Sequence, residues 1–313
     1  MYNHFMKLVV QIPAYNEQDN IRAVIEGISK KINNVDEIKI IVLNDASNDN
    51  TAEIAKELGV EVVSFKKRMG LSAVFKYGIE MALSCNADIL VNIDADNQYL
   101  SSDIEKLIQP VLNNEADITI GTRPIDTNQN FSFLKKIFQK LGSKITRLIS
   151  RTDVKDAPSG FRALNRKALL NINIFNPFTY TIEMLIQAHI KNLIIKNVDI
   201  NVNVQKNRKS KLFKNDFDYI CKQTKNLFRF FVIYRPARFF SMFGFVFFLF
   251  ALILGLRFLY YSSGHIQSLI LCAIVSVLSF ICFMLALLGD LLSINRRMLE
   301  EIRYELKSEK YKK

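Results

Sequence analysis

Asp94 and Asp96 are the residues of this sequence whose type and spacing most directly predict chemistry. They follow an apolar run at residues 89–93, whose length and β-branched content are typical of a buried strand. Because side chains i and i+2 of an extended chain point to the same side, both carboxylates can converge on one cation. Mg²⁺ typically binds one or two protein carboxylates together with substrate phosphates. We therefore expect a divalent-metal site at the carboxyl end of this strand.

The surrounding sequence alternates predicted strands and helices, and this alternation determines where such a site would lie. Apolar runs and helical periodicity predict further strands at residues 7–13, 37–43, 60–65 and 116–120, and helices from about residue 18 and over 51–58, 70–84 and 101–112. Ser101 or Ser102 is the expected N-cap of the last helix. The pattern predicts an α/β fold with a mostly parallel sheet and helices on both faces. Polar clusters end four of the five strands, so we expect them to line a ligand crevice at one edge of the sheet.

Several common types of site have no counterpart in the sequence. The glycine at Gly70 belongs neither to a dinucleotide-binding fingerprint nor to a P-loop, so a nucleotide would be held through its base, ribose and metal-bound diphosphate. The three histidines form no cluster, and no zinc-protease or serine-hydrolase motif occurs. The four cysteines lack the paired spacing of a disulfide or zinc site. Histidine-based catalysis and structural zinc are therefore not expected.

The net charge of +12 is concentrated beside long apolar segments. Basic residues crowd residues 206–238, as expected for a segment that faces anionic lipid. Residues 239–256 and 258–289 carry no charged side chain, which predicts two membrane helices near 239–260 and 266–288. Basic residues flank both ends of this hairpin and are absent from its turn. The positive-inside rule then predicts a multi-pass protein of the cytoplasmic membrane, with the N-terminal domain and both termini in the cytoplasm.

These features predict a division of the chain into four parts. We expect a catalytic domain at residues 1–212 and a transmembrane hairpin at 237–290. An apolar stripe at helical spacing predicts an interfacial amphipathic helix at 213–236 between them. Residues 291–313 are expected to form a basic cytoplasmic tail.

Six short motifs make the chain resemble the family-2 glycosyltransferases with a GT-A fold, and among them the polyprenol-phosphate (dolichol-phosphate mannose synthase-like) branch. Over residues 7–212 they follow the order and spacing of that family: Ile12-Pro13-Ala14-Tyr15-Asn16-Glu17, Asn44-Asp45-Ala46-Ser47, Gly70, Asp94-Ala95-Asp96, Gly121-Thr122-Arg123, and Asp156-Ala157-Pro158-Ser159-Gly160-Phe161-Arg162-Ala163. Each motif is weak alone, and their succession makes the resemblance specific. Members of the branch with a paired C-terminal membrane hairpin are similar in organisation.

The resemblance implies a role for each residue that matches a family motif. The nucleotide donor would be bound by Pro13, Tyr15, Glu17, Asp45, Asp94, Ala95 and Asp96, with Lys206, Arg208 and Lys211. Mg²⁺ or Mn²⁺ would be bound by Asp94, Asp96 and Gln98. The acceptor phosphate would be bound by Arg123, Lys136, Lys140, Ser159 and Arg162. The catalytic residues would be Asp156, Arg123 and Asp96.

Three departures from the family pattern concern the groups that bind base and phosphate. Asn44 stands where the family usually has an aspartate, which leaves the base contact to Asp45. The segment that often carries an arginine offers only Lys135, Lys136 and Lys140. Residues 205–211 lack the glycine of the corresponding family motif. Lysine acts as a point charge without the bidentate fork of arginine, so these departures bear on phosphate binding.

The resemblance implies inverting transfer of a sugar from a nucleotide-diphosphate donor to a polyprenyl phosphate, which would be undecaprenyl phosphate if the source is bacterial. A processive polysaccharide synthase of the same superfamily is an alternative, but its Gln-x-x-Arg-Trp signature is missing because the sequence has no tryptophan. A membrane-tethered basic scaffold that binds nucleic acid is another, and it would make no use of Asp94, Asp96 and Asp156. The expected partners are donor, lipid phosphate and membrane lipid, without nucleic acid. The sequence leaves open whether the protein forms a homo-oligomer.

Overall fold

The computed structural model describes residues 5–124, 152–177, 179–203, 225, 228–229, 232–261 and 266–312. The chain divides into two compact units. The first comprises Met1–Ile220 together with Tyr304–Lys313, and the second comprises Cys221–Arg303. This division differs from the predicted one at the C-terminus, because the last residues group with the first unit. The predicted interfacial helix lies largely outside the described residues.

The first unit is built on one seven-stranded sheet. Its strands are β1 (Lys7–Ala14), β2 (Glu37–Asn44), β3 (Glu61–Ser64), β4 (Ile89–Asn92), β5 (Ile118–Thr122), β6 (Arg162–Asn165) and β7 (Ile195–Asp199). Their order in the sheet is β3-β2-β1-β4-β6-β5-β7. The four contacts β1–β2, β1–β4, β2–β3 and β5–β7 are parallel, whereas β6 is antiparallel to β4 and β5. The expected α/β fold with a mostly parallel sheet is confirmed.

The sequence prediction did not include β6 and β7. Strand β6 is only four residues long, and it begins with Arg162 and ends with Asn165, so no apolar run marks it. Strand β7 lies at the edge of the sheet and only Val198 of its five residues is buried. Strands β1, β2 and β4 carry apolar runs because parallel strands inside the sheet are covered on both faces. Strands β6 and β7 lack that signal.

Helices cover both faces of the sheet. They are α1 (Ile21–Glu26), α2 (Thr51–Glu57), α3 (Leu71–Ser84), α4 (Ile104–Leu112), α5 (Arg166–Asn171) and α6 (Tyr180–Ile190). One core cluster joins α3, α5 and α6 to the sheet, and a second joins α1, α2 and α4 to its other face. Alternate strand residues divide between the clusters: Val9 belongs to the first, and Leu8 and Val10 belong to the second. This two-layer coverage buries the strands and leaves their ends to form the site.

The predicted serine cap of α4 is wrong. Residues Ser101–Asp103 form a 3-10 turn, and α4 begins only at Ile104 without a side-chain cap. The Ser101 hydroxyl instead donates to the Val24 carbonyl oxygen over 2.9 Å. Because Ser101 is buried, its hydroxyl stabilises the packing against α1 and is not available to the N–H groups of its own helix.

The second unit contains two long apolar helices, α7 (Pro236–Tyr261) and α8 (Ile266–Lys310). Their most apolar 18-residue windows have mean hydropathies of 2.5 and 2.9, and only 17% of each window is buried. A core helix of a soluble protein would be mostly buried. Both helices are therefore long and apolar enough to cross a membrane, at the positions that the sequence predicts.

Small residues bring α7 and α8 together. The Ser279 hydroxyl donates to the Gly244 carbonyl oxygen over 2.8 Å, and the Cys272 thiol donates to the Ala251 carbonyl oxygen over 3.2 Å. A Cβ atom on Gly244 would lie only 3.2 Å from the Phe283 ring. Close backbone approach at glycine and hydrogen bonds from small polar side chains are typical of helix pairs in membranes.

Candidate active site

The polar segments of the first unit meet at one edge of the sheet. Strands β1, β2 and β4 run parallel. Strand β5 has the same direction, because β6 is antiparallel to both β4 and β5. The segments that follow all four strands therefore leave the sheet at the same edge. This places Tyr15, Asp45, Asp94 and Arg123 on the crevice side, where open α/β sheets bind ligands.

The turns after β1 and β2 are bonded to each other. The Asn16 N–H donates to the Ser47 hydroxyl over 2.9 Å, and the Asn48 N–H donates back to Asn16 Oδ1 over 2.8 Å. The Glu17 N–H donates to the Thr51 hydroxyl over 2.8 Å, and Glu17 itself is buried. Asn16 has a φ of 54°, a left-handed conformation that asparagine tolerates better than most residues. The predicted nucleotide side of the site is thus a rigid double turn.

Asp45 fixes the start of α3. Its Oδ1 accepts the Met69 N–H over 2.6 Å and its Oδ2 accepts the Gly70 N–H over 3.0 Å. Gly70 has a φ of 85°, in the region that favours glycine. Asp45, the predicted base-binding residue, therefore also stabilises the loop that leads into α3 through its carboxylate.

Arg68 is a residue of this side of the site that sequence reasoning missed. Its guanidinium lies 4.0 Å from the centre of the Tyr15 ring, within the range of a cation–π contact. Arg68 stands among lysines in the segment before Gly70, and no motif marks it. Only the folded chain brings it beside Tyr15.

The carboxylates after β4 have the properties expected of a metal site. Asp94 is half-buried, and its Oδ1 atom is shielded and has no hydrogen-bond partner among the described residues. Burial and the neighbouring Asp96 charge raise the pKa of Asp94 to about 7. Nearby, the Asp96 Oδ1 accepts the Gln98 N–H over 3.1 Å. A divalent cation would fit this pair of carboxylates, because it would satisfy the orphaned oxygen and offset the repulsion.

The described residues would supply only part of a metal's coordination. The described ranges contain no group of three or more His, Cys, Asp or Glu side chains that could hold an ion. Two carboxylates complemented by substrate phosphates suit Mg²⁺, which seldom occupies a cage made of protein ligands alone. The donor set of Asp94 and Asp96 therefore fits a metal that binds together with a diphosphate.

Arg123 and Asp156 form a buried ion pair on the far side of the crevice. Arg123 Nε donates to Asp156 Oδ2 over 2.6 Å, and an Nη donates to Oδ1 over 2.9 Å. Arg123 follows β5 and is 9% exposed, whereas Asp156 is completely buried. Burial disfavours the guanidinium charge, but the acidic groups of Tyr99 and Asp156 raise the pKa of Arg123 above its ordinary value. The other Nη approaches Gln98 Oε1 at 3.5 Å, which connects the pair to the carboxylate side.

The segment from Asp156 to Arg162 is packed closely against the Asp94 carboxylate. A Cβ atom on Gly160 would lie 2.5 Å from Asp94 Oδ2, so only glycine leaves room for this carboxylate. The Gly160 N–H donates to the Tyr99 hydroxyl over 3.2 Å. Burial raises the pKa of Tyr99 to about 12, so its hydroxyl keeps its proton at neutral pH. Ser159 is completely buried.

Arg162, to which the resemblance gives a role in binding the acceptor phosphate, lies in the core of the first unit. Arg162 is completely buried, and its nitrogens donate to three backbone carbonyls, those of Ser159 over 2.8 Å, Thr181 over 3.0 Å and Ala157 over 2.5 Å. A guanidinium enclosed in this way holds the loop in place. The residue type is right for phosphate, but its position in β6 directs it into the core.

The remaining predicted lysines and arginines cannot be placed. Lys136 and Lys140 of the acceptor prediction, and Lys206, Arg208 and Lys211 of the donor prediction, lie outside the described residues. The structure thus brings together Asp94, Asp96, Gln98, Arg123 and Asp156, and it places Pro13, Tyr15, Glu17 and Asp45 at the ends of the adjoining strands β1 and β2.

Comparison with known proteins gives this arrangement a family. The sequence profile described as "Glycosyl transferase family 2" matches residues 9–172, which contain every described site residue named above. The chain belongs to this family. It is a glycosyltransferase, as the sequence motifs indicated.

The names of several relatives in the family contain a lipid phosphate as the acceptor or product. The chain is 32% identical over 177 residues to a UDP-N-acetylglucosamine–dolichyl-phosphate N-acetylglucosaminyltransferase of Methanococcus voltae, covering 50% of this chain and 69% of that protein. It is 31% identical over 224 residues to a dolichol-phosphate mannosyltransferase of Pyrococcus furiosus, covering 69% of this chain and 62% of that one. A polyprenol monophosphomannose synthase of Mycolicibacterium smegmatis is 27% identical over 176 residues, which cover 54% and 65% of the two chains.

Solved structures show the same fold at lower identity. Glucosyl-3-phosphoglycerate synthase from Mycobacterium tuberculosis, crystallised with Mn²⁺, UDP-glucose and phosphoglyceric acid, superposes with a TM-score of 0.57 at 21% identity. The match covers 72% of this chain and 79% of that one. The GT-A fold implied by the sequence motifs is confirmed.

Proposed function

We propose that this glycosyltransferase moves a sugar from a nucleotide-diphosphate donor to a polyprenyl phosphate at the cytoplasmic face of a membrane. The observation that carries the proposal is the buried Arg123–Asp156 pair, which reaches Gln98 beside the two carboxylates. It sets a fixed positive group opposite the site where a metal and a diphosphate would bind. The lipid-phosphate acceptors in the names of the relatives support the same class of acceptor.

Asp156 is badly placed to act as a general base. Both of its oxygens accept hydrogen bonds from Arg123, and none of its surface reaches solvent. A phosphate monoester has a second pKa of about 6, so a lipid phosphate is largely the dianion at pH 7 and needs no base. We therefore assign to Asp156 the task of orienting Arg123, and to Arg123 the task of holding the acceptor phosphate with its guanidinium charge.

The transfer is a single displacement in this proposal. An oxygen of the acceptor phosphate attacks the anomeric carbon, and the bond from that carbon to the donor diphosphate breaks with inversion. The nucleoside diphosphate leaves with the bonding electron pair. When bound at Asp94 and Asp96, Mg²⁺ or Mn²⁺ supplies charge neutralisation for the diphosphate. The double turn after β1 and β2, with Tyr15 and Asp45, would hold the nucleoside.

The two apolar helices would anchor the enzyme beside its lipid substrate. Anchoring raises the local concentration of the acceptor without any new contact in the site. The excess of basic residues at both ends of the hairpin supports a cytoplasmic position for the first unit and both termini. Undecaprenyl phosphate would be the acceptor in a bacterial source.

Mass spectrometry of lipid after incubation of the full chain tests this function. Purified protein in detergent is given Mg²⁺, a panel of nucleotide sugars and a polyprenyl phosphate. We expect a polyprenyl-phosphate sugar from at least one donor, no product from the corresponding polyprenyl alcohol, and no product in excess chelator. Equal glycosylation of the alcohol would overturn the assignment of a phosphate acceptor. Long saccharide chains would favour a processive polysaccharide synthase.

A further inference from the structure

A row of three polar side chains crosses the buried centre of the sheet. Gln11 of β1 and Arg162 of β6 are both paired in register with Asn92 of β4. Their exposures are 1%, 0% and 0%, for Gln11, Asn92 and Arg162 respectively. Paired residues of neighbouring strands point to the same face of a sheet. Buried polar groups cost free energy unless they are hydrogen-bonded, so the partners of this row reveal its purpose.

The Asn92 side-chain amide has several partners, and a hydrogen bond from it also lowers the pKa of the neighbouring Asp94 carboxyl. The Asn92 Oδ1 accepts from Gln11 Nε2 over 2.8 Å. Its Nδ2 donates to the Gly160 carbonyl oxygen over 2.8 Å and to the Tyr180 hydroxyl over 3.2 Å. Asn92 therefore ties the core of the sheet to the loop that begins at Asp156.

Gly160 is the point where this tie reaches the site. Its carbonyl is held by Asn92 and its N–H donates to Tyr99 over 3.2 Å, so the peptide groups on both sides of Gly160 are fixed. The Asp94 carboxylate occupies the space in which a Cβ of Gly160 would lie. Any shift of Gly160 would change the distance between this carboxylate and the loop that carries Asp156.

We propose that Asn92 is a positioning residue, which sets the separation between the Asp94 carboxylate and the Asp156–Arg123 pair through its bond to Gly160. The proposal rests on the proposed function, in which Asp94 serves the donor and Arg123 serves the acceptor. Asn92 is completely buried and touches no substrate. Its loss therefore lowers kcat, since a displacement of about 1 Å between reacting groups can reduce the rate about 100-fold.

Gln11 provides a matched control on the neighbouring strand. It is nearly as buried as Asn92 and bonds to it, but among the described residues its side chain makes no hydrogen bond to the loop of residues 156–161. We compare Asn92→Leu, Gln11→Leu and the double variant, in which no amide of this pair is left without its partner. Replacing both partners of a buried hydrogen bond by apolar groups can be nearly neutral for stability. The double variant removes the cost of an unpaired Gln11 amide, but the Gly160 carbonyl and the Tyr180 hydroxyl still lose Asn92, so thermal unfolding of each variant is needed to separate a loss of position from a loss of folding.

Two further measurements are made on the full chain. Turnover with polyprenyl phosphate gives kcat and the KM for the donor, and hydrogen exchange reports on the amides of residues 156–161 without any substrate. We expect Asn92→Leu and the double variant to lose kcat about 100-fold with little change in donor KM, and to exchange these amides faster. Gln11→Leu should keep kcat within about threefold and the wild-type exchange rates.

The outcomes are separable from the proposed function. Recovery of wild-type kcat or exchange in the double variant, or equal effects of Asn92→Leu and Gln11→Leu, would overturn the role of Asn92. If the wild-type protein makes no glycosylated lipid phosphate, the proposed function fails. The exchange rates of residues 156–161 then decide the role of Asn92 by themselves.

Discussion

At the scale of single residues, Asp94 determines how the site responds to pH. Its pKa in the folded protein is about 7, raised from 3.8 by burial and by the charge of Asp96. Between these two values the folded state binds more protons than the unfolded state, so the stability that Asp94 contributes at acid pH is lost as the pH rises through about 7. Without a cation, an ionised Asp94 therefore lowers the stability of the folded protein.

Asp94→Asn should therefore stabilise the metal-free protein more at pH 8 than at pH 5, because pH 5 lies only a little above the unfolded pKa of 3.8 and well below the folded pKa of about 7. Each kcal/mol of relieved penalty would raise the Tm by about 2–4 °C. The measurement is thermal unfolding in chelator at both pH values. The exposed Glu53 provides a control, because Glu53→Gln in the first turn of α2 should lower the Tm slightly and by a similar amount at both pH values. The same gain at pH 5 and pH 8 would show that the charge of Asp94 is not the cause.

Asp156→Asn tests whether the buried carboxylate orients Arg123 or removes a proton. The asparagine cannot accept both guanidinium bonds, so we expect kcat/KM to fall about 100-fold. The loss of rate at low pH should persist, with an apparent pKa near the value of about 6 for the lipid phosphate. The pH profile of kcat/KM for wild type and variant gives the answer. A variant whose residual rate no longer depends on pH would identify Asp156 as the base.

At the scale of elements, the segment between Asp156 and β6 joins the two sides of the crevice. It packs Gly160 against Asp94, and it is held by Asn92 from β4 and by Arg162 from β6. Strand β6 runs antiparallel between β4 and β5, so it returns this segment to the crevice edge. The segment is thus held both by core residues of the sheet and by its own Asp156 and Gly160.

Gly160→Ala should abolish most transfer without unfolding the protein. The new methyl group would lie 2.5 Å from Asp94 Oδ2, so either the loop or the carboxylate must move. We expect a loss of about 100-fold in kcat, together with weaker Mn²⁺ binding in titrations with the metal alone. Gly255→Ala in α7 is the control, since its methyl group would make only an ordinary contact of 3.5 Å with Cys272 Sγ. Full activity of Gly160→Ala would show that the Asp94 carboxylate can take another position without loss of function.

At the scale of the whole molecule, the C-terminal residues 304–313 belong to the first unit, which carries the candidate active site and is called the catalytic unit below. Tyr311 joins the core cluster of α3, α5 and α6, and its hydroxyl donates to Glu80 Oε2 over 2.8 Å. Lys307 lies 3.4 Å from Glu80 Oε1, and Arg166 donates to the Tyr311 carbonyl oxygen. The predicted tail is therefore helical up to Lys310 and packs on α3, the helix whose start is held by Asp45.

Tyr311→Ala should destabilise the catalytic unit by about 3 kcal/mol, because it removes a buried aromatic side chain. Tyr311→Phe should cost only about 1 kcal/mol, because it removes the bond to Glu80 and keeps the ring. Chemical unfolding of the full chain, followed through the catalytic unit, measures both changes. Equal stability of Tyr311→Ala and wild type would mean that the C-terminus does not pack on this unit in solution.

The sequence by itself determined five of the seven described strands, the position of Asp94 and Asp96 at the end of one of them, and the family. Strands β1, β2 and β4 were predicted to within about one residue at each end, since strands buried on both faces are continuous apolar runs. Asp94 and Asp96 were found because they follow an apolar run of strand length and stand among further polar clusters at strand ends. These signals are local, so they can be read from neighbouring residues alone.

Only the tertiary structure decided which side chains meet. Asp156 pairs with Arg123 across 33 residues, and Asn92 reaches Gly160 across 68. Arg162 was predicted to bind phosphate, but its place in β6 turns it into the core. These contacts depend on the order of strands, in which β6 enters between β4 and β5. The sequence does not show whether a polar residue lies in the core or in a crevice, because the order of the strands determines its partners.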